Sequence, residues 1–258
     1  SLLILVAIFF GYQSKDFRLD ASSETLLIEG DPDLKYLNEI NEKFGAKEFL
    51  VLTLTPKEKL TSQNTINNIL SLKYKIQSLN WVHNVITILD IPLLDSSDEP
   101  LMDRIKNFRT LKDENIDRDR GFQEILNSPV FRNFVISEDA KTTGIIVNLK
   151  DREKPQFSAF DNKKEIENYK DTLKKERHQN IIEIREIIKS FEDVGKIHLG
   201  GIPMIADDMM TFIKNDIIVF GFGVFLFIVC TLWFVFRSLI WVLIPLSSCF
   251  FSVLIMIG

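Results

Sequence analysis

Three histidines and one pair of adjacent aspartates are the residues of this sequence that metal or acid–base chemistry would use. His83, His178 and His198 lie far apart and lack the spacing of a ligand motif, whereas a metal site needs three or four converging ligands. Asp207 and Asp208 could be read as paired carboxylates. Adjacent side chains on a helix, however, point about 100° apart, which predicts a solvated pair near a helix start.

No motif of a common enzyme class is present: the sequence has no G-x-S-x-G, P-loop, HExxH or dinucleotide fingerprint. Both cysteines, Cys230 and Cys249, lie in an apolar C-terminal region, so a disulfide framework or a cysteine metal site is not expected elsewhere. The sequence therefore predicts no catalytic residue, no metal, no cofactor and no enzymatic activity.

One segment contains residues with special backbone preferences. Gly200, Gly201 and Pro203 lie between a predicted strand at Ile197–Leu199 and an amphipathic helix at Met204–Asn215. Glycine adopts backbone angles that other residues avoid, and proline fixes φ. The segment is either a simple turn or a hinge between a polar domain and the membrane, and these three residues are the candidate hinge.

Charged residues are unevenly distributed along the chain, and their distribution separates a polar domain from apolar segments. Residues 1–11 carry no charge and residues 217–258 carry only Arg237, so residues 12–216 hold the other 30 of 31 Lys and Arg and all 36 Asp and Glu. The net charge of this segment is therefore −6. Because it is mildly acidic and has no basic stripe, nucleic acid is not an expected partner.

The segment from Ile217 to Phe236 predicts a transmembrane helix. It has 20 residues without a charge, and a helix of that length spans about 30 Å, the thickness of the hydrocarbon core. A second apolar segment, 239–258, follows after only Arg237 and Ser238, which predicts a tight helical hairpin. Positive residues favour the cytoplasmic side, so Arg237 at the tip predicts an extracytoplasmic location for the polar domain.

The apolar segment Leu2–Gly11 is too short to span a bilayer. It is either a signal-peptide core or part of a membrane helix, and it lacks the basic n-region and cleavage site of a signal peptide. We therefore expect residues 1–11 to end a first transmembrane helix and residues 12–215 to form one domain. Residues 216–236 would be the second transmembrane helix, and residues 239–258 the start of a third.

The polar domain is predicted to have an α+β fold. Strands at Phe49–Thr55 and Val82–Leu89 flank a helix at Asn64–Leu79. A second β-α-β unit comprises a strand at Thr142–Leu149, a helix at about 161–192 and the strand at Ile197–Leu199. This order is that of the split, ferredoxin-like β-α-β arrangement.

Two further segments complete the prediction. A helix at 32–44 precedes the first strand, with Asp31 as its N-cap. Residues 90–141 form an insertion with a helix at Leu101–Leu111 and a polar run at Lys112–Arg120. Within the same insertion, Phe131–Ile136 is predicted to be a strand paired with Thr142–Leu149 across a polar turn at 137–139.

Taken in order, five motifs resemble the RND (resistance-nodulation-division) superfamily, specifically its MMPL/Patched-like branch. They are Phe17-Arg18-Leu19-Asp20 with Leu26 to Pro32; Phe44-Gly45; Ser128-Pro129; Gly200-Gly201-Ile202-Pro203 followed by Asp216; and Phe236-Arg237-Ser238 with Pro245-Leu246.

The resemblance implies a proton-driven exporter of the bacterial inner membrane that moves hydrophobic or lipid-like molecules through a periplasmic porter domain. It implies that this chain is part of the first half of a longer transporter, whose remainder would be its partner together with the lipid bilayer. The proton relay of the family uses acidic residues on a later helix. Residues 217–258 contain no acid, so no relay residue is assigned here.

A membrane-anchored sensor with an extracytoplasmic ligand-binding domain is the alternative function. A sensor would place a cytoplasmic signalling helix after Phe236. The second apolar segment begins instead within two residues, which favours the transporter.

Overall fold

In a computed structural model of the chain, the described residues are 32, 35–36, 39–40, 48–94, 108–113, 116–150 and 163–257. They belong to two compact units, one ending at Asp207 and the other beginning at Asp208. The predicted membrane helix at 1–11 and the greater part of the predicted helix at 101–111 lie outside the described residues. The five described residues between 32 and 40 are helical, as predicted.

The first unit alternates strands and helices, which confirms the α+β class. Its elements are β1 (Phe49–Pro56), α1 (Gln63–Gln77), β2 (Val82–Ile86), a 3-10 turn (Ile88–Asp90), α2 (Arg118–Asn127), β3 (Thr143–Leu149), α3 (Lys163–Lys189) and β4 (Gly195–Gly200). Helix α4 (Ile202–Phe236) begins in this unit, and α5 (Leu239–Ile257) belongs to the second unit.

The four strands form one antiparallel sheet in the order β2-β3-β1-β4. Strand β1 is central, since Leu52 pairs with Ile145 of β3 on one side and with Leu199 of β4 on the other. Successive side chains point to opposite faces of a strand, and Leu50, Leu52 and Leu54 are all buried. One face of the sheet therefore forms half of the core.

Helices α1 and α3 form the other half. Ile69 and Ile76 of α1 and Ile181 and Ile184 of α3 are fully buried in one cluster with the strand residues. Each such side chain contributes about 1.5–3 kcal/mol by leaving water. The apolar spacing that predicts the two helices is thus the spacing that builds the core.

The predicted strand at Phe131–Ile136 is wrong. This segment consists of turns, and only a single bridge joins Ile136 to Thr143. Asn133 has a φ of 62°, which belongs to the left-handed region and interrupts an extended strand. The backbone N–H of Asn133 donates to the carbonyl of Ile136 at 2.8 Å, which closes a local turn. The end of the segment still meets β3, because the N–H of Gly144 donates to the carbonyl of Val135 at 2.7 Å, but no continuous strand ladder forms.

The end of β2 and the presence of α2 also differ from the prediction. Strand β2 ends at Ile86 because Thr87 caps the 3-10 turn, accepting from the N–H of Leu89 while the Asp90 carboxylate accepts from the N–H of Thr87. Helix α2 is not among the predicted helices: it begins at Arg118, inside the polar run 112–120, with Asp117 as its N-cap.

The described end of the predicted helix at 101–111 is not helical. Arg109 forms an isolated antiparallel bridge with Leu93, and their backbones bond between the Leu93 N–H and the Arg109 carbonyl at 2.8 Å. Position 109 of the insertion therefore lies beside position 93, near where the insertion begins.

Helix α4 is a single helix of 35 residues. Within the described part of the chain it is the one helix long and apolar enough to cross a membrane by length and composition. Helix α5 has 19 residues with Pro245 inside it, and Arg237, at a φ of 48°, lies in the link before it. The predicted span at 217–236 is therefore part of a longer helix.

Candidate functional site

The candidate hinge lies where β4 ends and α4 begins. Gly200 still pairs with Val51 of β1, and a Cβ on Gly200 would lie at an ordinary 3.7 Å from the Val51 carbonyl oxygen. Gly201 has a φ of 121°, and a Cβ there would lie 2.9 Å from the Phe49 carbonyl oxygen. Only glycine combines this backbone angle with this close approach. The two glycines therefore differ in kind, and Gly201 makes the turn.

Pro203 is buried in the first turn of α4. Proline is tolerated at this position because the first N–H groups of a helix have no partner within it. The first turn closes when the N–H of Ile205 donates to the carbonyl of Gly201 at 3.0 Å. Met204 packs against the core, so the start of α4 is fixed to the sheet by packing as well as by the chain.

Asp207 is not the solvated residue that its position beside Asp208 predicts. Its side chain is only 9% exposed, and the Nδ1 atom of His178 on α3 lies 3.0 Å from both carboxylate oxygens. Positions 203 and 207 are one helical turn apart and share a face. Because Pro203 is buried, Asp207 also points inward, and it meets His178 there.

Arg177 adds a second polar contact on α3, next to His178. Its Nη2 atom lies 2.9 Å from Oε1 of Glu48, which immediately precedes β1. The sequence places Arg177 at a break in the apolar spacing of α3. These two neighbouring residues of α3 therefore contact different elements: Arg177 contacts the residue before β1, and His178 contacts the start of α4.

A separate polar cluster lies around Asp90. One carboxylate oxygen accepts from Lys73, at 2.6 Å, and from Lys112, while the other accepts from the N–H and hydroxyl of Thr87 at 2.8 Å. Burial raises the pKa of Asp90, but the bonds from Lys112, Lys73 and Thr87 outweigh burial and lower this pKa to about 2. The cluster joins α1, the 3-10 turn and the insertion.

Each of these polar contacts joins different elements of the fold. In the parts of the chain that the structure describes, no three His, Cys, Asp or Glu side chains come together as metal ligands. Of the three histidines, His178 alone has a carboxylate partner among the described contacts, while His83 and His198 are exposed on strands. Sequence reasoning missed the His178–Asp207 contact because its partners are 29 residues apart.

The fold and the site define a class: an α+β domain whose last strand leads, through a fixed glycine turn, into a long apolar helix. The family model of the MMPL family matches residues 93–258, well over half of the chain. The chain belongs to the MMPL family. No curated protein matches it.

This membership confirms the resemblance found in the sequence. The MMPL family consists of integral membrane transporters of the RND superfamily rather than enzymes, so the chain is a membrane protein of the transporter class. The matched range begins at residue 93, after β2, and includes β3, α3, β4 and both apolar helices.

Proposed function

We propose that the chain is part of an exporter that uses the proton-motive force to move hydrophobic or lipid-like molecules across the bacterial inner membrane. Residues 12–215 are proposed to be its periplasmic porter domain, with the ferredoxin-like split β-α-β arrangement. The strand order β2-β3-β1-β4 supports that arrangement. Residues 216–236 and 239–258 are proposed to be its second and third transmembrane helices.

One observation supports this function best: β4 leads directly into α4, and α4 includes the apolar segment without a break. Movement within the β-α-β units would therefore reach a membrane helix through Gly200, Gly201 and Pro203. The sensor alternative would place a signalling helix after Phe236, whereas α5 begins at Leu239. We therefore favour transport.

The location of the domain is tested by cysteine labelling. Residues 1–258 contain only Cys230 and Cys249, and replacing both with Ala, together with any cysteine elsewhere in the full-length protein, leaves no thiol. Glu192→Cys then reports on the exposed turn after α3, and Ser238→Cys reports on the link between α4 and α5. In spheroplasts we expect a membrane-impermeant maleimide to label the first variant at once and the second only after permeabilisation. Labelling of Ser238→Cys alone would place the domain in the cytoplasm.

The activity is tested with the full-length transporter in cells loaded with the lipophilic dye Nile red. We expect efflux that stops when a protonophore collapses the proton gradient. Efflux that continues after the gradient collapses would refute proton coupling. Retention of the dye regardless of the gradient, in cells that express the protein, would refute export of apolar molecules of this kind.

A further inference from the structure

The start of α4 is attached to the sheet-containing unit in two independent ways. The first is covalent and local, through the Gly201 turn and the burial of Pro203. The second is distant in sequence, through His178 of α3 and Asp207. Asp207 is also the last residue of its compact unit, so the second attachment lies where α4 leaves that unit.

We propose that the His178–Asp207 contact is a latch that keeps the first two turns of α4 on the domain, so that bending at the candidate hinge requires it to open. This inference rests on the proposed function, because the latch would regulate the movement that the function requires between β4 and α4. His178 and Asp207 are positioning residues on this reading.

The burial of Asp207 is the reason the contact matters. A carboxylate removed from water needs hydrogen-bond donors, and loss of its partner costs more than the contact itself contributes. His178 faces both carboxylate oxygens and is itself half exposed. If the contact opened while the first turns of α4 stayed in place, the Asp207 carboxylate would remain largely buried without its partner. Opening is therefore favourable only when these turns also move and let water reach the carboxylate.

The latch does not compete with the glycine turn. Gly201 sets the direction in which the chain leaves β4, because no other residue fits against Phe49 and Leu50. The latch determines whether the helix that follows stays in place. A hinge needs both parts: a backbone whose dihedral angles can change and a contact that can be released.

The test is hydrogen–deuterium exchange of the full-length protein in nanodiscs of phosphatidylcholine and phosphatidylglycerol, with fragmentation that resolves residues 205–207. We expect His178→Ala to accelerate exchange of these amides at least about tenfold while β1 and β3 keep their protection. The double variant His178→Asp/Asp207→His reverses the pair and should restore protection. His198→Ala, which removes an exposed histidine from β4, is the matched control and should change nothing.

Two results would overturn the latch. Unchanged exchange at residues 205–207 in His178→Ala would show that the contact holds nothing. Faster exchange throughout the sheet would show a general role in stability rather than a local one. Neither result depends on which side of the membrane the domain occupies or on dye efflux, so failure of the latch and failure of the proposed function are separate outcomes.

Discussion

The Asp90 cluster provides the sharpest test of the energetics of this domain. Asp90 is 20% exposed and its partner Lys73 is 12% exposed, so this pair is largely removed from water. The pKa of Asp90 falls from its ordinary 3.8 to about 2. Through the linkage of protonation to folding, this difference corresponds to about 2 kcal/mol of stability at neutral pH. Asp90→Asn should remove roughly that amount.

The sign of the pH dependence follows from the direction of the change. Because the pKa of Asp90 is lower in the folded state, the folded state binds fewer protons than the unfolded state between about pH 4 and pH 2. The stabilisation is complete above about pH 4 and is lost as the pH falls through about 2. The difference in unfolding free energy between wild type and Asp90→Asn should therefore fall to below half its neutral value by roughly pH 2.5.

Tryptophan fluorescence can measure this difference in the whole chain. The three tryptophans are Trp81, Trp233 and Trp241, and only Trp81 lies in the sheet-containing unit, where its Nε1–H donates to Glu183 at 2.9 Å. Replacing the other two with Phe, together with any tryptophan elsewhere in the full-length protein, leaves Trp81 as the sole reporter during urea unfolding in detergent. Glu192→Gln makes the same carboxylate-to-amide change at an exposed site and is the control.

Three results would contradict this prediction for Asp90. A loss below about 0.5 kcal/mol at pH 6 would show that the two lysines and Thr87 contribute little to stability, as surface ion pairs do. A loss of equal size at pH 6 and pH 2.5 would show that the ionised carboxylate is not the source of the effect. A loss of unfolding free energy in Glu192→Gln as large as that in Asp90→Asn would show that the effect is not specific to the Asp90 cluster.

Two further substitutions probe the local structure. Gly201→Ala should lower the free energy of unfolding by about 2 kcal/mol or more, because an alanine would be strained at this positive φ and its Cβ would lie too close to the Phe49 carbonyl. As the control, Gly200→Ala should change the free energy of unfolding by less than about 1 kcal/mol in the same urea experiment. Ser62→Ala should cost about 1 kcal/mol by removing the N-cap that accepts from the N–H of Thr65, and unchanged stability would contradict that role.

Elements with a long apolar period could be predicted from the sequence. Helix α1 and strand β1 each contain at least three buried residues at regular spacing, and α3 and β3 combine two buried large apolar residues with half-buried ones over a longer apolar pattern. The predicted bounds of these four elements lie close to those observed. Helix α2 has only 10 residues, with Phe122 and Ile125 as its buried large side chains. Its large apolar residues, Phe122, Ile125 and Leu126, lie within five positions of one another and do not establish a repeating period.

The remaining differences depend on contacts between distant residues. The segment 131–136 has the composition of a strand, yet the left-handed Asn133 redirects it. Asp207 has the sequence context of a solvated residue, and only the packing of α3 against the start of α4 brings His178 to it. The glycines of the candidate hinge could be identified from the sequence, but the difference between Gly200 and Gly201 depends on the approach of β1.

The central place of β1 has a consequence for synthesis on the ribosome. Strand β1 ends at Pro56, but its neighbours β3 and β4 end only at Leu149 and Gly200. At about 5–20 residues per second, β1 waits roughly 7–30 seconds for both partners, with its sequence FLVLTLTP unpaired. The apolar part of α4 is synthesised just after β4, so the last strand of the sheet and the membrane helix become available to fold one directly after the other.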